Sequence, residues 1–411
     1  MSRSRLTRGL LAASAMVLPG LAVLGTTGPA SAQDVGAFTP LGIRAGSFLI
    51  HPTLEADVAY DDNIFATDDN EEDDITYEFR PRVTAQSQWS RHKLDVTADA
   101  DTGIFSDNSD SNYFDFGVAA NGRLDVLHNS ALKIGAGIRR DHEDRDDPDE
   151  SGDDDVTEIL ISGINLAYRH TFNRVYVEPG FDFSRRDYDN TDNVKNNDRD
   201  NQRTQFRMRV GYAVSPRLSV FGEGFYGFVT YDQTPNAAGL DRESDSFGGR
   251  AGVEVELTGL LTGEASFGYS KQTYDDDQLD DIDSPSAQVA LTWNPTQLTT
   301  VTGSLSGDIR ETTTVVNGDP ASGIIGLSAG ISVQHELRRN IYLSGRVGYD
   351  RDDFDGTDRT DDTYRVGAGI RYLLNRNIGV DASYDYSTRS SDIDDQEFDR
   401  NIFRIGIVAR L

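Results

Sequence analysis

The sequence contains no cysteine, so an exported form of the chain could not rely on disulfide bonds. It also lacks His-Glu-x-x-His, Gly-x-Ser-x-Gly and phosphate-loop motifs, and its 6 histidines leave little material for a metal centre. Apart from the N-terminus, no apolar run reaches the roughly 18 residues of a membrane-spanning helix. Basic residues are scarce, and the net charge of −30 disfavours nucleic-acid binding. We therefore predict no catalysis, no cofactor and no nucleic-acid partner.

The first 32 residues are typical of a secretory signal peptide. A basic start, an apolar middle and a small-residue cleavage site follow one another as Arg3 to Arg8, Leu10 to Leu24 and Ala30 to Ala32. Removal of this peptide would make the mature chain still more acidic. Residues 33–47 are too few for a plug or a separate domain. We predict a short periplasmic lead-in there, followed by a single domain over residues 48–411.

Residues Ile75 to Trp89 alternate between apolar or small side chains and polar or charged ones. A period of two indicates a β-strand with two different faces. The alternation persists well beyond the roughly five or six residues of a usual soluble strand, and about 9–11 residues are enough to cross a bilayer at a tilt. The stretch therefore predicts a transmembrane strand with one face toward lipid and the other toward a polar interior.

The same alternation recurs from Phe48 to Leu411, interrupted in turn by a long acidic loop and a short turn. We count about 18 segments, with about 16 as the alternative, and predict an all-β, antiparallel, up-and-down transmembrane barrel. The regular exchange of long loops and short turns is typical of an outer-membrane barrel, whose even strand number would leave both termini in the periplasm. Two local features are also expected. One is a bulge near Gly163, where the pattern changes face, and the other is a ladder gap at Pro81, which has no N–H.

Three short motifs carry a resemblance to a known family. They are Tyr60 to Phe65 (YDDNIF), Trp293 to Thr296 (WNPT) and Leu373 to Ile378 (LLNRNI), and the final strand is amphipathic as well. In these segments the chain resembles the outer-membrane β-barrel porins of the beta-barrel porin 2 family, several of which accompany exopolysaccharide synthesis operons. The resemblance covers residues 48–411 and implies a pore or a polymer-export channel in a Gram-negative outer membrane. It assigns no catalytic residue.

Charged residues of both signs occupy the polar face of the predicted strands. Cross-strand pairing that stiffens the wall and a polar passage for small solutes or sugar chains both fit this pattern. Trp89 and Trp293 fall at the short-turn ends of their strands, where an aromatic girdle is expected. The predicted lumen-lining residues are Glu78, Arg80, Arg82, Arg207, Arg209, Arg250, Glu254, Arg365 and Arg371.

One acidic loop has the spacing of a calcium-binding loop, D-x-D-x-S-G-x5-E. Its oxygen ligands would be Asp147, Asp149, Ser151 and Glu158. The flanks are predicted strands rather than helices, and so acidic a loop matches easily by chance, so a solvated loop is the alternative. Together the acidic loops place negative charge on one rim. There they would aid solubility, steer cations or share divalent cations with lipid phosphates.

These observations favour an outer-membrane barrel that passes or exports small polar solutes or polysaccharide. Its expected partners are outer-membrane lipid, lipopolysaccharide and the barrel-assembly machinery, and its acidic mouth predicts a weak cation preference. Two alternatives stay open. One is a closed structural or adhesive barrel with acidic, cation-binding outer loops, and the other is a secreted, soluble, calcium-binding β protein.

Overall fold

The computed structural model describes residues 38–150, 155–257 and 259–411. The predicted signal peptide, residues 33–37 of the lead-in and Ser151 lie outside these described residues. Within them the chain is mostly β-strand, because alternating polar and apolar side chains suit an extended backbone with two faces. The 18 long strands are β1 (Phe48–Asp61), β2 (Asp74–Ser87), β3 (Lys93–Phe105), β4 (Tyr113–Leu127), β5 (Ser130–His142), β6 (Glu158–Phe172), β7 (Val175–Tyr188), β8 (Asn201–Ser215), β9 (Leu218–Tyr231), β10 (Ser244–Leu257), β11 (Leu261–Tyr274), β12 (Ile282–Thr296), β13 (Thr299–Arg310), β14 (Ile324–Arg338), β15 (Ile341–Phe354), β16 (Thr360–Leu373), β17 (Ile378–Ser391) and β18 (Phe398–Arg410).

These strands form one antiparallel sheet that closes on itself. Each strand pairs with its neighbours in sequence, and β1 also pairs with β18, from Thr53 opposite Arg410 to Asp61 opposite Ile402. Closure leaves no unpaired edge, so the backbone groups of the strands find partners where lipid offers none. The 18-strand count confirms the predicted up-and-down barrel and removes the 16-strand alternative.

The two faces of β2 show which side of the wall meets lipid. Tyr77 and Phe79 are each 45% exposed on the outer face, whereas Glu78 between them is only 5% exposed and lies inside. The same alternation places Ile370 outside and Arg371 inside on β16. An apolar exterior of this extent would be costly in water but matches the hydrocarbon of a bilayer. This exterior argues against the soluble, secreted alternative.

Pro81 interrupts the hydrogen-bond ladder of β2, which confirms the expectation from the sequence. On the β3 side the pairing skips residues 80 and 81, whereas on the β1 side Pro81 stays in register opposite Leu54. Pro179 in β7 leaves the same kind of gap toward β6. A proline has no N–H to donate, so the ladder opens on the side where that donor would have been used.

No bulge is present at Gly163, so that expectation was wrong. β6 pairs in continuous register with β5 through this position and with β7 from Ile159 to Ala167. The pattern appeared to change face because Ile159 and Ile161 lie on the same inner face as Arg169, which contacts Glu254 across the barrel interior. Apolar residues on an inner face had been mistaken for a change of register.

The two ends of the barrel differ in their connections. Loops at one end include residues 143–157 and 311–323, and turns at the other end include residues 128–129 and 173–174. A short strand, Ile43–Ala45, lies at the turn end and pairs with the first residues of β1. In the described ranges, no helix is long and apolar enough to cross a membrane.

Both tryptophans lie on the outer surface near the turn end. Trp89 is 42% exposed and Trp293 is 49% exposed. The Trp89 ring packs edge-on against Phe48 with centroids 5.5 Å apart, and its Nε1 donates to the Ser47 hydroxyl at 3.0 Å. An amphipathic ring with its N–H satisfied at the rim suits a membrane–water boundary. The girdle role of the two residues stays a prediction.

Candidate functional site

The predicted lumen-lining residues lie on the inner faces of their strands. Contacts between strands that are not neighbours show this, because such contacts run through the interior. Arg404 on β18 contacts Glu78 on β2 at 3.2 Å, and Arg371 on β16 contacts Glu55 on β1 at 2.8 Å. The alternation of each strand then places its other predicted residues on the same side.

One charge network joins β15 to β18 with β1 and β2. Arg80 pairs with Asp57 and Glu78, and Arg404 bridges Glu78 and Asp385 at 3.2 Å each. Arg371 extends the network to Glu55 and to Asp381, and Arg346 extends it to Asp385. Arg80, Arg371 and Arg404 each contact carboxylates of two strands, so the network connects the strands across the junction where the barrel closes.

A second network covers the wall from β5 to β12. Arg209 donates to both oxygens of Glu264, at 2.7 and 2.9 Å, and to Glu223 at 2.8 Å. Arg250 reaches the other oxygen of Glu223 at 2.6 Å. Arg169 pairs with Glu178 and also contacts Glu254, which lies on β10. Lys133 and Gln288 complete the network at Glu178 and Arg250.

Several of these arginines lie over the faces of aromatic rings. The guanidinium carbon lies 4.0 Å from the ring centroid of Phe221 for Arg209, and 4.2 Å from that of Tyr176 for Arg169. Such a contact holds a cation in place without neutralising it. The wall therefore presents fixed charges rather than freely rotating side chains.

Sequence reasoning missed Glu223 and Arg169, two centres of the second network. β9 gave a mixed pattern because Phe221 and Phe225 share the inner face with Glu223, and β6 did so because of its inward isoleucines. A usable signal was present for Glu223. It stands directly opposite Arg209 on one neighbouring strand and Arg250 on the other, so cross-strand charge complementarity identifies it.

We call the loop between β5 and β6 the inward loop. Its described part, residues 143–150 and 155–157, folds into the barrel mouth and contacts β16 and the loop after β13 on the opposite side. Arg365 on β16 donates to the Asp146 carboxylate at 3.0 Å, and the Thr314 hydroxyl donates to the Asp149 carboxylate at 2.7 Å. Thr312 donates to the same oxygen of Asp149. Strands β13 to β16 lie nearly opposite β5 and β6 in an 18-strand ring. The loop thus crosses the lumen.

Backbone contacts and a buried ion pair add to this attachment. Arg359 donates to the carbonyl of Pro148 at 3.2 Å, and Arg389 donates to the carbonyl of Asp146. At the base of the loop, Glu143 pairs with Arg199 from the loop between β7 and β8. Hydrogen bonds and ion pairs from guanidinium groups to carbonyls and carboxylates fix the path of the described part of the loop, residues 143–150 and 155–157.

The loop after β13, residues 311–323, packs against the loop ends of β9, β10 and β11. Glu311 accepts hydrogen bonds from Tyr231 at 3.1 Å, from Ser244 at 3.2 Å and from Gln272 at 2.8 Å. Beside it, Ala321, Ile324 and Phe354 form a buried apolar cluster. Burial raises the pKa of Glu311 above its usual range. These contacts hold the loop whose Thr312 and Thr314 bind Asp149 of the inward loop.

The predicted calcium ligands do not converge in the described part of the chain. Asp149 is bonded to Thr312 and Thr314 across the lumen, and Glu158 pairs with Arg140 on the neighbouring strand. Among the described residues, neither they nor Asp147 belong to a group of three or more ligand residues whose atoms lie within 4.8 Å of one another. Ser151 lies outside the described residues. The solvated-loop alternative also differs from this geometry, because Asp146 and Asp149 are bonded to the opposite side of the mouth.

We expect the stability of the folded inward loop to depend on pH through Asp147. Burial, reinforced by the Asp149 carboxylate, raises the pKa of Asp147 from 3.8 to about 6. Its protonated form therefore favours the folded loop, and this stabilisation is lost as the pH rises through 6. For Asp146, burial is outweighed by Arg365 and Arg400, so its pKa stays below the usual range and it does not titrate in this window.

We expect more frequent channel openings at pH 7 than at pH 5, measured in planar bilayers. A shift of about two pKa units corresponds to about 3 kcal/mol at most, an upper bound for the effect on the loop. Asp147→Asn should reduce the difference between the two pH values to the part that Glu143 contributes, because burial raises the pKa of Glu143 to about 7. Asp192→Asn, an exposed acid of another loop, should behave as the parent protein. Identical openings at both pH values in the parent would contradict the assignment.

Comparisons with known proteins fit this barrel. A family model described as "Putative beta-barrel porin 2" matches residues 36–411. Among solved structures, Pseudomonas aeruginosa OpdL is 15% identical, with 89% of this chain and 100% of that chain covered and a TM-score of 0.43. P. aeruginosa OpdK with vanillate is 14% identical, with 88% and 98% covered and a TM-score of 0.44. Acinetobacter baumannii OccAB3 is 9% identical, with 89% and 100% covered and a TM-score of 0.38.

No relative matches the chain among curated proteins. The family match, by contrast, extends over the whole barrel and includes the segments Tyr60 to Phe65 and Leu373 to Ile378 on which the resemblance rested. Because the match runs from residue 36 to residue 411, the chain belongs to the putative beta-barrel porin 2 family.

Proposed function

We propose that this protein is an outer-membrane channel for small polar solutes and that the inward loop forms its constriction. The supporting observation is the attachment of Asp146 to Arg365 on β16 and of Asp149 to the loop after β13, inside a lumen lined by charged residues. A barrel of this strand number encloses an aqueous channel, and a loop across it limits the size of the solutes. A wall of fixed charges favours hydrated, hydrogen-bonding solutes over apolar ones.

The wall charges are largely paired, which predicts weak rather than strong ion selectivity. Arg209, Arg250 and Arg404 each contact at least one carboxylate, so their fields partly cancel. The outer loops are not balanced in this way, since acidic runs such as residues 61–74 and 187–200 contain many more acids than bases. Their negative potential would raise the local cation concentration at the mouth. A weak cation preference follows.

Planar-bilayer conductance of the full chain tests this proposal. We expect discrete conductance steps and, in a KCl gradient, a reversal potential of the cation-selective sign that shrinks at high ionic strength because salt screens the loops. Substituting Asn for the exposed acids Asp68 and Asp69 should weaken the preference without changing the size of the steps. Absence of conductance would favour the closed structural or adhesive barrel, and an anion-selective sign would count against the acidic mouth.

The orientation of the barrel in the membrane follows from the different lengths of the connections at its two ends. We place the long loops outside the cell and the short turns, with both termini, in the periplasm, as is usual for such barrels. The outer surface would contact phospholipid and lipopolysaccharide, and the closed β-sheet would require the barrel-assembly machinery for insertion. Protease cleavage on intact cells, restricted to the long loops, would support this orientation.

Export of a polysaccharide is the second solute class that the family resemblance suggested. A polymer chain needs a continuous open lumen, so this function would require release of the inward loop from Arg365, Thr312 and Thr314. The charge networks suit either class, but the attached loop favours small solutes. The two functions can be distinguished in planar bilayers. The measurement is how strongly small sugars and long polysaccharides each reduce the conductance of the parent and of a variant whose inward loop is released.

A further inference from the structure

Three potential metal ligands meet at the root of the inward loop. They are Asp115 on β4, with Asp141 and His142 at the end of β5, and one ligand atom from each lies within 4.8 Å of the others. Asp115 is 5% exposed, and the His142 side chain is 15% exposed. Asp115 and His142 are therefore largely shielded from water, whereas the Asp141 side chain is 31% exposed.

The imidazole is held in a defined orientation. His142 Nδ1 lies 2.8 Å from Asp115 Oδ2, and the ring stacks on Tyr113 with centroids 4.1 Å apart and an angle of 23° between the planes. Arg139 Nε donates to Oδ2 of Asp141 at 3.0 Å, which fixes that carboxylate as well. Neighbours that orient ligating groups without occupying all their lone pairs are the usual surroundings of a metal site.

The surroundings also carry an excess of negative charge. Asp144 Oδ1 lies 3.8 Å from His142 Nε2, so a third carboxylate approaches the imidazole. Asp101 stands directly opposite Asp115 in the β3–β4 ladder, and its Oδ1 is buried without a hydrogen-bond partner. Arg139 is shared with Asp99, and Arg80, which interacts with Asp101, already pairs with Asp57 and Glu78, so these two cations do not balance all the acids. A buried, unsatisfied carboxylate oxygen beside an acidic cluster is costly unless a cation is near.

We infer that Asp115, Asp141 and His142 bind a divalent transition-metal ion. One imidazole nitrogen and two carboxylate oxygens are a ligand set that Zn²⁺ accepts, with water at the fourth position. Ca²⁺ prefers six to eight oxygen ligands over an imidazole nitrogen. A bound metal replaces the proton between His142 and Asp115 and fastens β4 to β5 where the inward loop begins. The site is independent of whether the barrel conducts.

Isothermal titration of the full chain, folded in detergent, with Zn²⁺ tests this inference. We expect one saturable site with micromolar affinity. His142→Ala and Asp115→Asn should each weaken binding at least about tenfold, the usual scale for the loss of a ligand or its support. His128→Ala, in a turn at the other end of the barrel, should bind Zn²⁺ as the parent does. So should Asp187→Asn, in an acidic group already bonded to Arg185.

Heat-shifted gel mobility identifies the variants that fold, and Asp141→Asn replaces any ligand variant that does not. The inference is overturned if the parent shows no saturable Zn²⁺ site, or if folded His142→Ala binds Zn²⁺ with parental affinity. Displacement of Zn²⁺ by millimolar Ca²⁺ would equally overturn it, because it would indicate a general acidic site. Retention of Zn²⁺ in excess Ca²⁺ supports the imidazole-containing site.

Discussion

Asp146→Ala combined with Asp149→Ala should convert the barrel into a channel of clearly higher conductance. The two substitutions remove the side-chain bonds of the inward loop to Arg365, Thr312 and Thr314. Hydrogen bonds to charged groups are worth about 1.5–3 kcal/mol each, so the loss is about 3 kcal/mol or more. That corresponds to a factor of more than about 100 in the population of the released loop. Single-channel recordings in planar bilayers measure the change.

A matched control separates loop release from loss of negative charge. Asp189→Ala with Asp192→Ala removes the same charge from the neighbouring outer loop, where the Asp189 side chain is 72% exposed. This pair should leave the conductance steps as in the parent protein. Equal conductance in the parent and in the Asp146 and Asp149 variant would show that the inward loop does not limit the pore.

Arg209→Ala should produce the largest change in selectivity of any single lumen substitution. Arg209 is the partner of both Glu264 oxygens and of one Glu223 oxygen, and the Glu223 side chain is only 2% exposed. Its removal leaves Glu264 without that guanidinium and Glu223 with Arg250 alone. The wall then gains local negative charge, so the reversal potential in a KCl gradient should move further in the cation-selective direction.

The same substitution should lower the stability of the barrel. Breaking a buried pair by removal of one partner costs about 3–5 kcal/mol because a charge is left without compensation. The temperature at which the folded gel band disappears should therefore fall. Arg207→Ala is the control, since Arg207 forms an ion pair with Asp182 at 3.3 Å and should shift both readouts less. An unchanged reversal potential in folded Arg209→Ala would contradict the role of the second network.

The fold was largely predictable because a closed barrel repeats one simple rule. In β2 every second side chain is apolar, and side chains of a strand alternate between faces whatever the neighbours are. The same rule placed Glu78, Arg80 and Arg371 on the inner face, and the absence of an N–H located the ladder gap at Pro81. It failed in β6 and β9, because an inner face that carries isoleucine or phenylalanine no longer differs from the outer face in polarity.

The sequence by itself determined the barrel class, the faces of most strands and the separation of long loops from short turns, and it limited the strand count to about 18 or about 16. Only the tertiary structure decided where the acidic loops go. Asp146 meets an arginine more than 200 positions away, and Asp149 meets threonines of another distant loop. An acidic loop looks the same in sequence whether it extends into water or crosses the lumen, because its path depends on cations and donors that closure of the barrel brings opposite it.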